Sequence, residues 1–152
     1  MKIKKKAKYR VSELKKPKNG RIGKVKKYNK NLEPHEDRTI ETLSEYGFDV
    51  EALIPSNVPG SKNPDILMLG TLWEMKAPTT NDDETIASHF RKAVKQSGGK
   101  AIFDIRGTGK DSDAIEETIM KLFVTTRGMR RIMIIRKDAK DRRRIKILDI
   151  AK

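Results

Sequence analysis

Asn63-Pro64-Asp65 and Glu74-Met75-Lys76 are the residues of this 152-residue chain whose types and spacing could do chemistry. Eight residues separate Asp65 from Glu74, with Gly70 between them. Gly70 suits a hairpin turn. With Leu69 and Gly70 as the two turn residues, Met68 faces Thr71, Leu67 faces Leu72, Ile66 faces Trp73 and Asp65 faces Glu74. Directly opposed residues share a sheet face, and strand alternation adds Lys76 to that face. Two carboxylates and an ammonium then converge at the open end of one hairpin. Opposed carboxylates raise each other's proton affinity, and a divalent cation removes that penalty. Hard oxygen ligands suit Mg2+ or Mn2+, and the Met75 backbone carbonyl could add one more. Lys76 would orient and polarise a metal-bound water, or stabilise charge on a phosphoryl transition state. The competing reading is a surface ion pair of Lys76 with either acid, which is worth little.

The elements that must position these residues follow from patterning. Pro34 to Tyr46 reads as a helix: Pro34 suits the first turn, Glu36 and Asp37 complement the dipole, and Gly47 suits the C-terminal end. Residues 48–53 read as a strand, 55–63 as a loop, and 65–69 and 71–76 as the hairpin strands. Glu84 to Ser97 carries Ile86, Phe90, Ala93 and Val94 near a 3.6-residue period, and Gly98 and Gly99 stop it. A strand over 101–105, a helix over 113–124 and strands over 131–135 and 145–150 complete the order α-β-β-β-α-β-α-β-β. That order predicts an α/β (α+β) fold with a mixed sheet flanked by helices.

Composition narrows the chemistry. There is no cysteine, and His35 and His89 are the two histidines, which excludes disulfides, thiolate zinc, a thiol nucleophile and a multi-histidine metal site. The net charge is +14. Residues 1–30 hold 14 of the 35 Lys and Arg against one acid, Glu13. Residues 1–32 therefore read as a basic, flexible arm suited to polyphosphate, ahead of a domain over 33–152. A solubilising tail is the alternative. Arg127 to Lys146 is basic again. No apolar run is long enough for a membrane span, and no signal peptide is expected.

Pro64-Asp65, eight residues, then Glu74-Met75-Lys76 resembles the signature of the PD-(D/E)XK nuclease superfamily. A preceding helix with an acid, Glu36, and a following helix with Gln96 extend the match. Residues 63–100 resemble one branch in particular, the C-terminal tRNA nuclease domain of CdiA-type contact-dependent inhibition toxins. The resemblance spans roughly residues 33–150 and leaves the basic arm outside it. It implies a restriction-endonuclease-like sheet and a metal-dependent nuclease acting on RNA, with tRNA favoured. Residue by residue, it implies Asp65 and Glu74 as metal ligands, Lys76 as the catalytic lysine and Glu36 as an acid helping to hold metal or its water. Gln96 would orient that water or a phosphate. Glu36 also reads as a dipole-complementing surface acid, and Gln96 as a helix-end cap. A cognate immunity protein is implied, as is action in the cytoplasm of the producing or target bacterial cell.

Several lesser readings accompany these. Trp73 points away from Glu74 and is expected in the core. His89 shares a helix stripe with Gln96, and Ser61 and Lys62 precede the motif in a loop. Metal-activated water needs no covalent nucleophile, which suits a chain without cysteine. The rivals are a DNA endonuclease of the same fold, a non-catalytic nucleic-acid-binding module, and a ribosomal or nucleoid structural protein. The last has no need for opposed carboxylates.

Overall fold

The computed structural model describes residues 9–107 and 112–152. Its strands are β1 (Arg10–Leu14), β2 (Val25–Lys27), β3 (Val50–Ala52), β4 (Ile66–Met68), β5 (Thr71–Lys76), β6 (Lys100–Asp104), β7 (Arg131–Lys137) and β8 (Ile145–Ala151). Its helices are α1 (Pro34–Glu45), α2 (Asp83–Ser97) and α3 (Ser112–Thr125). From α1 onward the order is the expected α-β-β-β-α-β-α-β-β. The strands form one mixed sheet in the order β1-β8-β7-β6-β5-β4-β3-β2.

Each face of the sheet has its own core. Ile40 and Leu43 of α1 pack on Val50, Ile66, Met68, Trp73, Met75, Ile102 and Met133. Ile86, Phe90 and Ala93 of α2 and Ile115, Ile119 and Phe123 of α3 pack on Ala101, Phe103, Ile132 and Ile134. β6 and β7 alternate between the two cores and are apolar on both faces, as strands covered by helices on each side must be. Strand pairing is parallel between β5 and β6 and between β6 and β7. Their C-terminal ends therefore share one edge of the sheet.

Two strands come from the segment expected to be a flexible arm over residues 1–32. β1 pairs antiparallel with β8, and β2 pairs parallel with β3. This corrects the expectation for residues 10–14 and 25–27; residues 1–8 lie outside the described residues. The reason is that backbone hydrogen bonds, not burial, hold an edge strand. β1 and β2 are exposed along nearly their whole length, with Leu14 reaching one core. Exposed lysines are also what keeps an edge from pairing with another chain. A composition test for a buried core therefore misses such strands.

The hairpin has the expected register: Met68 pairs with Thr71, Leu67 with Leu72 and Ile66 with Trp73. Leu69 and Gly70 form its turn with φ of 55° and 70°. Positive φ at both positions defines a type I′ turn, whose twist matches the strands it joins. Leu69 is the described non-glycine residue with positive φ, so the turn is held by the pairing beyond it rather than by its own preference.

Candidate active site

β4 ends its ladder at Ile66, opposite Trp73, and the Asp65 N–H also donates to the Trp73 carbonyl, at 3.1 Å. That bond is one residue off the ladder's register, so Asp65 and Ile66 both lie opposite Trp73, and the expected direct opposition of Asp65 to Glu74 is replaced by a bulge that leaves the two acids neighbours at this end of the hairpin. Glu74 is on the face of α2, because it pairs with Ala101, which belongs to the α2–α3 core. Trp73 is fully buried on the opposite face, and its indole N–H donates to the Met68 carbonyl at 3.0 Å.

Asp65 Oδ2 accepts the Met75 N–H at 2.7 Å. An extended residue turns its N–H and its C=O to the same edge. The Met75 carbonyl therefore lies on the Asp65 side of β5, beyond the end of β4. Glu74 is 2% exposed. The Lys76 ammonium stands 3.7 Å from Glu74 Oε2, an ion pair too long for a hydrogen bond. Glu74 Oε1 is buried with no hydrogen-bond partner among the described residues.

Charge follows from this packing. Burial, then the Asp65 carboxylate, push the Glu74 carboxyl up to about 7, against the pull of Lys76 and Lys92. Burial also raises Asp65; the Met75 N–H, Lys76 and Lys92 oppose it, and Glu36 adds to it. Two neighbouring acids held above their ordinary values, one with an orphaned oxygen, form a place that lacks positive charge. Among the described residues, no group of three or more His, Cys, Asp or Glu side chains is placed to hold a metal. Two carboxylates with a backbone carbonyl still fit a hard cation that keeps its waters.

The remaining expected residues take definite places. Gln96 is on α2, and its Oε1 accepts the Asn63 N–H in a short hydrogen bond. Asn63 Oδ1 in turn accepts the Ser56 N–H at 2.6 Å. Gln96 thus pins the loop that delivers Pro64-Asp65 onto α2. Glu36 accepts the Glu33 N–H at 2.9 Å in a capping box at the start of α1, while its charge still reaches Asp65. His89 is half-buried on α2, and burial with the charges of Lys76 and Lys92 lowers its pKa. Ser61 and Lys62 stay in the preceding loop.

Two features escaped sequence reasoning. Lys92 stands on α2 between His89 and Gln96, and its charge acts on Asp65, Glu74 and His89. Its signal was there, since 89, 92 and 96 share one helix stripe. The second is a buried node. Asp104 accepts from Thr39 at 2.9 Å and takes Arg106 on both carboxylate oxygens, while Arg106 also donates to Thr42 at 2.8 Å. It ties α1 to β6 across more than sixty residues of sequence, which no local pattern reveals.

Residues 62–140, containing Asp65, Glu74, Lys76 and Gln96, match the model of the contact-dependent growth inhibition CdiA C-terminal domain. The chain belongs to this family. The expectation of a contact-dependent inhibition toxin domain holds at that level. In structure the CdiA C-terminal domain described here is similar to the CdiA-CT/CdiI toxin and immunity complex from Burkholderia pseudomallei. That match has a TM-score of 0.57 and 22% identity, and covers 82% of this chain and 98% of the other, which shows a shared fold. No curated protein matches the chain. No helix among the described residues of this CdiA C-terminal domain is long and apolar enough to cross a membrane.

Proposed function

We propose that this CdiA C-terminal domain is a divalent-metal-dependent nuclease of PD-(D/E)XK type that hydrolyses phosphodiester bonds in RNA, with tRNA the favoured substrate. The observation that carries the reading is the hairpin cluster. Asp65 reaches the Met75 N–H and its charge acts on Glu74, Lys76 stands beside Glu74, and a buried Glu74 oxygen has no partner among the described residues. A surface ion pair would leave neither carboxylate buried, so the bland reading of this cluster fits less well.

Asp65, Glu74 and the Met75 carbonyl would hold Mg2+ or Mn2+. The ion would lower the pKa of a bound water and neutralise charge on the attacked phosphate. The protein's own part is positional. The Met75 N–H fixes the Asp65 carboxylate, so one of its oxygens is committed to the backbone and the other is left toward the site. Lys76 balances Glu74 and would meet negative charge as it develops on the phosphate. Gln96 holds the loop before Asp65 and thereby its angle of approach. Glu36 would act on the site through its charge, since its side chain caps α1.

A cognate immunity protein is a further part of the proposal. The similar structure from Burkholderia pseudomallei is a toxin and immunity complex, and a charge of +14 favours an acidic partner on encounter. The domain would act in the cytoplasm of the cell it enters. The test is incubation of purified protein with tRNA and with plasmid DNA, with and without Mg2+, beside Asp65→Ala. The reading expects metal-dependent RNA cleavage that Asp65→Ala abolishes, leaving 5′-phosphate and 3′-hydroxyl ends. Cleavage of plasmid alone would replace RNA by DNA, and cleavage that persists in Asp65→Ala would remove the metal site from the chemistry.

A further inference from the structure

The C-terminal ends of β5, β6 and β7 meet the start of α1 around a cavity of about 490 Å3. It is lined by His35 and Arg38 of α1, Ala77 and Pro78 just after Lys76, Asp104 and Arg106 at the end of β6, and Lys137 at the end of β7. Asp104 is the one acid among these residues, and Arg106 and Thr39 already occupy both its oxygens. Arg38 and Lys137 have no acidic partner among the described residues. Two unpaired cations thus share a cavity with an arginine whose side chain is fixed. The cavity opens on the α1 face, and Ala77, which lines it, directly follows Lys76, so it lies across the C-terminal sheet edge from the hairpin cluster.

We propose that this cavity is a phosphate subsite: it takes a phosphate of the substrate chain next to the one attacked at Asp65, Glu74 and Lys76. This rests on the nuclease reading and goes beyond it, because it makes the enzyme depend on a second phosphate. Arg38 and Lys137 supply the charge. Arg106, held by Asp104 and Thr42, supplies a fixed guanidinium edge. A chain laid along this edge would be gripped beside the scissile bond, which fixes the attacked phosphate in line with the hairpin. The track favours a polynucleotide over a mononucleotide and accounts for basic residues that the hairpin cluster leaves unused.

The experiment compares Arg38→Ala/Lys137→Ala with wild type and with Arg127→Ala/Arg130→Ala. The control pair removes equal charge from exposed positions just before β7, at the opposite sheet edge. Binding of tRNA is measured in the Asp65→Ala background across a salt series. Losing one phosphate contact makes the slope of log K against log salt shallower by about 0.7–0.9. Cleavage of tRNA should then fall roughly ten-fold, chiefly through KM, while hydrolysis of bis(p-nitrophenyl) phosphate, with a single phosphate, stays unchanged. The control pair should leave cleavage of both substrates at wild-type rates. A slope and tRNA cleavage that match wild type, in protein that Asp65→Ala still inactivates, would overturn the subsite and leave the nuclease standing. A shallower slope in a protein that cleaves nothing would keep the anion site and remove the nuclease. No tRNA binding by any form would overturn both.

Discussion

Glu74→Gln tests the electrostatics of the hairpin cluster without assuming any substrate. Burial and Asp65 raise the Glu74 carboxyl from 4.5 to about 7. A raised acid binds more protons in the folded state than in the unfolded state across that window. Stability therefore falls as pH climbs from about 4.5 to about 7 and is level above it. Moving one carboxyl from 4.5 to about 7 corresponds to about 3 kcal/mol. Glutamine keeps the shape and does not titrate. In EDTA, the stability of Glu74→Gln minus that of wild type should be small at pH 4.5 and grow by about 3 kcal/mol by pH 8. Urea denaturation at a series of pH values reads this difference directly, and other titrating groups cancel in it. Adding Asp65→Asn to both proteins should shrink the amplitude, since Asp65 is the second cause of the shift. Mn2+ at about 100 times its Kd should return about 2.7 kcal/mol to wild type at pH 8 and nothing to Glu74→Gln. A difference that stays flat with pH would mean Glu74 is hydrated and titrates normally. The packing argument for a cation at this hairpin would then fail.

Three further outcomes follow from the same geometry. Lys76→Met should lower RNA cleavage by about 10²–10³-fold in single-turnover assays with the fold intact, because a stabiliser of developing charge is removed; an unchanged rate would reduce Lys76 to the counter-ion of Glu74. Gln96→Ala strands the Asn63 N–H and should cost about 1–3 kcal/mol in urea, with faster hydrogen exchange at Asn63, while Gln96→Glu keeps the acceptor and should retain most of that stability. Deleting residues 1–14 removes β1 and uncovers the β8 edge, so the melting temperature should drop by several degrees; an unchanged melting curve would show that β1 adds nothing to the sheet.

What the sequence made legible was whatever is written locally. The hairpin register came from counting residues about one turn, because side chains alternate with a period of two and a slip would turn every apolar residue outward. α1 and α2 were legible from their apolar spacing and end signals. For α2 the end signal was Gly98, which is left-handed, while the Asp82 side chain that accepts from the Thr85 N–H was not read. Glu74 and Lys76 share a face for the same local reason, while the Asp65 N–H bonds Trp73 one residue off the register that counting gives. Gln96 lies on the stripe expected of it, but its bond to Asn63 depends on where the 56–63 loop runs, which only the tertiary fold decides. Glu36 shows a further case: besides its charge on Asp65, its side chain accepts the open N–H of its own helix start, a capping bond that was not read from the sequence.

The basic segments show why charge is a poor guide to order. Residues 9–32 look unable to bury a core and bring little more than Leu14 and Leu32 to the edge of one, yet β1 and β2 still close both edges of the sheet. Edge pairing needs only backbone groups on one side, so lysine-rich sequence and regular structure are compatible. The consequence for function is positional. β1 runs antiparallel to β8, and β8 antiparallel to β7, so β1 ends at the same sheet edge as β5, β6 and β7. Lys15 and Lys16 therefore emerge where Arg106, Lys137 and the Arg142–Arg144 turn already stand. Topology, rather than local composition, collects positive charge along one side of the molecule, next to the buried acids of the hairpin. An anionic polymer drawn to that side arrives beside Asp65 and Glu74, the two groups whose own charge would otherwise repel it.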